Sequence, residues 1–157
     1  MKIKGAEGTC FAKVDFFSGV FSIDPKIPFT KREAGIFGKV MSLVENQCIK
    51  EGIRKEDLGR GHLIISDDGS YSFEVDSSDG DAYGYNMHNI IYAMSKLREK
   101  NNIIFTMIVF AEELVHFIWP ELSESKTKLK VIEILKPEIP QMSVELLEAF
   151  GISMEDY

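Results

Sequence analysis

Residues 103–119 are almost wholly apolar, yet they carry Glu112, Glu113 and His116 within a single helical turn. Asn101-Asn102 marks a turn before this stretch and Pro120 stops it, which predicts one long helix. A helix that is apolar all round has to be wrapped by other elements, so the domain must be built around this one. Its N-terminal half is expected to be fully buried. Ionisable side chains on such a helix need a partner, a metal ion or a patch of solvent. At about 100° per residue, Glu112, His116 and Glu113 fall within an arc of about 100°. Phe105 and Val109 occupy the same arc one and two turns earlier, so the face changes from apolar to ionisable halfway along. Either the helix emerges into water there, leaving Glu112 and His116 as a simple i,i+4 polar pair, or the three groups line the floor of a cleft.

The chain has 157 residues, enough for one domain with a real core, and the whole of 1–157 reads as a single unit. Its 25 acidic residues outnumber its 18 basic ones, and a net charge of −7 would repel a phosphate backbone, which argues against nucleic acid as a partner. The 103–119 stretch is too short and too ionisable for a membrane span. The first eight residues contain two lysines with no apolar run behind them, and Cys10 and Cys48 lack metal-type spacing and sit among apolar neighbours. A cytoplasmic protein with reduced core thiols is expected.

Residues 9–17 and 20–24, rich in aromatic and β-branched side chains, flank Ser18-Gly19 and predict an N-terminal hairpin over 9–24. Pro25 and Pro28 end that pattern. Thr30-Lys31-Arg32-Glu33 is a capping box, and Phe37, Val40, Met41, Val44 and Cys48 recur at helical spacing until Gly52. Residues 62–66 and 71–75 surround Asp67-Asp68-Gly69-Ser70 and predict a second hairpin beside the apolar helix. Residues 87–97 suit a strand at 89–94, but their helical face, Met87, Ile90, Ile91, Met94 and Leu97, slightly favours a helix. Further helices are expected over 123–136, with Leu129, Ile132 and Leu135 among its apolar positions, and over 143–150, capped by Ser143 and stopped at Gly151. The sum is an α+β domain with a small antiparallel or mixed sheet and about four helices.

Ala111-Glu112-Glu113-Leu114-Val115-His116-Phe117, late in an apolar helix, resembles the active-site helix of the zincin-type metallopeptidases, whose signature is His-Glu-x-x-His. The order of elements over residues 30–136 is similar to a small zincin core if 89–94 is a strand. By position, the resemblance makes Glu113 the general base and His116 a metal ligand, while Glu112 stands where the first histidine belongs. A carboxylate there shifts preference from zinc towards harder divalent ions. Glutamate-type zincins take a third ligand from a later helix, for which Glu124 and Glu133 are the available acids. The resemblance implies a metal-dependent peptidase or hydrolase, or a relative that keeps the scaffold to bind a peptide or protein without catalysis.

Other sites compete less well. A di-iron centre needs a second Glu-x-x-His, and neither His62 nor His88 has a glutamate three residues before it. The acidic stretch 76–81 fails as an EF-hand, because with Gly80 at the sixth loop position the first and twelfth fall on Val75 and Asn86. Asp67, Asp68, Asp76, Asp79 and Asp81 do support a different class of function, an acidic interaction module such as an immunity, antitoxin-like or regulatory protein that meets a basic partner.

Overall fold

In a computed structural model that describes residues 15–72 and 88–155, three strands and five α-helices form a small α+β domain. Strand β1 (Phe21–Pro25) leads into helix α1 (Lys31–Lys50), and the chain returns as β2 (Gly61–Ser66). Strand β3 (His88–Ala93) runs directly into α2 (Met94–Lys100), followed by α3 (Ile103–Ile118), α4 (Glu124–Leu135) and α5 (Val144–Ala149). The sheet order is β1-β2-β3 and both pairings are parallel, with Phe21 opposite Gly61 and Gly61 opposite His88.

The parallel sheet overturns the expected antiparallel or mixed one. The turn at 67–70 forms, with Gly69 at φ +91° and its N–H donating to Ser66 Oγ at 2.8 Å. Tyr71 and Ser72 beyond it belong to no strand, however, and residues 73–75 lie outside the described part. The Asp67 carbonyl instead accepts from the N–H and hydroxyl of Ser95, tying the turn to the start of α2 and leaving the second edge of β2 to β3. Leu63, Ile64 and Ile65 are all fully buried, the unbroken apolar run of a strand covered on both faces, as parallel strands generally are. Only the second part of the expected N-terminal hairpin falls within the described residues. Asp15–Phe17 is a 3₁₀ turn, β1 pairs with β2 across the α1 crossover, and residues 9–14 lie outside the described part.

Of segment 87–97, the described residues 88–97 are neither all strand nor all helix. They change period at Ala93, strand before and helix after, and the added α2 makes the helices five rather than four. The capping predictions correspond to real geometry. Thr30 and Glu33 exchange both bonds of the capping box, and Gly151 at φ +80° closes α5 while the Ile152 N–H donates to the Leu147 carbonyl. Arg98 from α2 clamps Glu33 with two bonds and also donates to the Pro28 carbonyl, holding α2 against the start of α1.

The core lies between one face of the sheet and helices α1 and α3. Phe37, Tyr92 and Phe110 pack edge to face, and the Tyr92 hydroxyl donates to the Phe110 carbonyl at 3.0 Å. This bond fixes α3 against β3 just before Glu112. Cys48 is a free, fully buried thiol, pushed up to about 12 chiefly by burial and further by the Glu51 charge, while Cys10 lies outside the described residues. The N-terminal half of α3 is less enclosed than its composition suggests, since Ile103 is 45% exposed. No described helix is long and apolar enough to cross a membrane.

Candidate metal centre

The cluster is assembled by a helical hairpin. Asn102 caps α3, its side chain accepting from the Phe105 N–H, and α3 ends where Trp119 and Pro120 turn the chain. A link of five residues, 119–123, then starts α4, which packs back along α3. So short a link sets the last turn of α3 beside the first turn of α4, and His116 therefore faces Glu124. The start of β2 supports the same end of α3: a Cβ on Gly61 would lie 2.8 Å from the Phe117 ring, a closeness that only glycine permits.

Ligand atoms of Glu112, His116 and Glu124 all lie within 4.8 Å of one another, and all three side chains are half-buried. His116 Nε2 is 3.6 Å from Glu124 Oε1. Donors about 2.0–2.2 Å from a common ion stand roughly 3–3.5 Å apart, so the three side chains would have to draw slightly closer around an ion, and the His116 to Glu124 pair is already near that spacing. One imidazole with two carboxylates suits zinc or a harder divalent ion. Phe105 and Val109, on the same arc as the cluster, are half-buried too, which places the whole stripe along the margin of the core.

Burial is the main force on both adjacent carboxyls, and it pushes Glu112 and Glu113 above the usual carboxylate range. The Glu113 charge adds to the rise at Glu112, the Glu124 charge adds at both, and His116 opposes it at both. Tyr92 is held well above its ordinary value by complete burial and by the charge of Glu113, which couples Glu113 to the sheet side of α3.

Of the two acids available on the later helix, the structure brings Glu124 to the cluster and not Glu133. Nine residues of helix turn Glu133 to the opposite face of α4. There it pairs with Lys50 at 2.7 Å and Lys130 at 3.0 Å, and these cations, with a hydrogen bond from Gln47, lower its carboxyl to about 2. A residue that the sequence reading missed is Lys128. Its side chain is only 8% exposed and its ammonium lies 3.8 Å from Glu124 Oε2. At about 40° from Glu124 and 20° from the buried Leu135, it falls inside the inward arc of α4, whereas Leu129, expected among the apolar positions, is 51% exposed. A lysine among apolar positions was the signal that could have found it.

Of the remaining candidates, His62 accepts or donates at 2.5 Å to Ser22 across β1 and β2 and stands apart from the cluster, on the other face of the sheet from Leu63. Asp67 and Asp68 lie on an exposed turn, and Asp76, Asp79 and Asp81 fall outside the described residues. No protein-family model matches the chain, and neither a curated protein nor a solved structure is significantly similar to it.

Proposed function

We propose that Glu112, His116 and Glu124 hold one divalent metal ion and that the protein is a metal-dependent hydrolase, with Glu113 as its general base. The observation that carries this reading is the convergence of three ligand atoms from two helices within 4.8 Å. Two half-buried carboxyls, both pushed up by burial and by neighbouring negative charge, are relieved by a cation placed among them. The ion's contribution would be to acidify a water molecule and polarise the bond to be cut.

The protein's own groups supply the rest. Glu112 is one residue before Glu113 and one turn before His116, so both ligands on α3 and the base are fixed by a single rigid helix. Burial that raises the Glu113 carboxyl brings its basicity closer to neutral pH, where a base must both accept and release a proton. Tyr92 and Phe110, locked together beneath the cluster, keep that part of α3 from shifting. The roles follow the order of the zincin signature, with glutamate in place of its first histidine. Support for this reading comes from the site and not from the zincin fold, since the described residues form an all-parallel sheet.

Titration of chelator-treated protein with Zn²⁺ or Mn²⁺ is expected to saturate at one ion per chain. Glu113→Gln keeps the shape and removes the base, so it should retain metal and fold while losing at least about a hundredfold in hydrolysis of a fluorogenic peptide library. Failure to bind either ion would remove the proposal, and turnover undiminished in Glu113→Gln would remove the role of Glu113.

A further inference from the structure

Lys128 is an unusual companion for two carboxylates and an imidazole that converge as candidate metal ligands. Its stem is packed in the inward face of α4, its ammonium reaches Glu124 at 3.8 Å, and its charge extends to Glu112. Lysine is rarely this buried unless its charge is paired, and the charges it meets are two of the three groups assigned as ligands. An ordinary i,i+4 pair between Glu124 and Lys128 would lie on the solvent face of the helix. Here the lysine half of the pair is turned inward, between Thr127, which is fully buried, and the exposed Leu129, while the Glu124 side chain stays 43% exposed.

We propose that the Lys128 ammonium is a built-in cation of the Glu112, His116 and Glu124 site, competing with a divalent ion for the same carboxylates and so setting how tightly that ion is held. The inference rests on the metal-site reading and adds a regulation to it. When an ion enters, its charge and that of Lys128 repel at a separation of a few ångströms in a partly desolvated place, where screening is weak. The ammonium then swings away on its flexible four-carbon stem, and no covalent bond forms or breaks. When the ion leaves, Lys128 returns and compensates the carboxylates in part. The site is therefore exchangeable, filled when divalent ions are abundant and closed by its own lysine when they are not.

Calorimetric titration of Mn²⁺ and Zn²⁺ into chelator-treated wild type, Lys128→Met and Lys128→Gln tests this directly. Methionine retains most of the buried stem without the charge, and glutamine keeps a polar tip should the methionine variant fail to fold. Both variants are expected to bind at least about threefold tighter than wild type, since the ion no longer has to displace an ammonium from the carboxylates that it shares. Adding Glu112→Gln to Lys128→Met should erase the gain. Equal or weaker binding in the variants, with wild type still binding one ion, would overturn the role of Lys128 and leave the metal centre standing. Binding by the variants alone would uphold the role of Lys128 while removing the resident-metal reading of the native chain. No binding in any of the three proteins would overturn both.

Discussion

Two groups of charged side chains flank α4, and they have opposite electrostatic characters. On one face, Glu51 and Glu133 meet Lys50 and Lys130 at 2.5 to 3.0 Å, and Glu51 also accepts from the Trp119 ring N–H at 2.9 Å. Burial would raise the Glu51 carboxyl, but hydrogen bonds from Lys130, Gln47 and Trp119 outweigh it and hold it low. On the other face, Glu112, Glu113 and Glu124 share one histidine and one lysine among the described residues, the nearest contacts to them are 3.6 and 3.8 Å, and burial wins at Glu112 and Glu113. The first group is compensated and works as a clasp between α1 and α4. The second is left short of positive charge, and strain of this kind is characteristic of functional sites.

The sharpest break in that comparison is metal binding itself. His116→Ala removes the only imidazole of the set and is expected to weaken Zn²⁺ affinity about a hundredfold, as loss of a first ligand generally does. Glu133→Gln should leave the affinity unchanged, because its carboxylate serves the clasp. Calorimetric titration of both variants decides it, and an equal loss in the two would show that the faces are not functionally distinct.

Proton linkage separates the two groups by sign. The folded-state value of Glu133 is depressed to about 2 from an ordinary 4.5, so its contribution is complete above about pH 4.5 and fades as pH falls towards 2. With its side chain 41% exposed, solvent screening limits that contribution to under about 1 kcal/mol. Glu113 is raised, so its penalty is absent well below the ordinary carboxylate value, appears as pH climbs through that value, and is complete above the raised one. In chelator, Glu113→Gln should raise the melting temperature at pH 7 by about 2–4 °C and lose that advantage by pH 3. Glu133→Gln should lower it slightly at pH 7 and converge on wild type as the pH approaches 2. Thermal melts across this range would disprove the contrast if both substitutions moved stability in the same direction.

How much of this was legible from the sequence depended on whether the controlling contacts were local. Helix ends at Thr30, Asn102, Ser143 and Gly151 were readable because a cap is set by residues a few positions apart. The parallel sheet was not, because Asp68-Gly69 has real turn chemistry, and only the distant pairing of β3 with β2 decides where the chain goes next. Leu63-Ile64-Ile65 carried the contrary signal, an apolar run without alternation. Residues 87–97 misled because one window spanned two periods that change at Ala93. At the site, Glu112, Glu113 and His116 were legible from a single helix. The choice of Glu124 over Glu133 needed the reach of the 119–123 link, and Lys128 needed the rotation of α4 about its axis.

The smallest test lies at the boundary between the two faces. Thr127 is fully buried on α4, about 60° around the helix from Glu124, and its hydroxyl oxygen has no hydrogen-bond partner among the described residues. A threonine on a helix often satisfies its hydroxyl with the carbonyl four residues back, but here the Ser123 carbonyl accepts only the Thr127 N–H. The hydroxyl is thus a desolvated dipole in the strip that separates a satisfied group from an unsatisfied one. Valine has nearly the same shape and no such dipole, so Thr127→Val removes a desolvation cost and is expected to stabilise the fold by about 0.5 kcal/mol, with metal affinity unchanged. If Thr127 belonged with the short-charged face and contributed its oxygen there, the same substitution would instead weaken Mn²⁺ binding and gain no stability. A melt and a titration on this one variant therefore locate where the compensated side of α4 ends and the site begins.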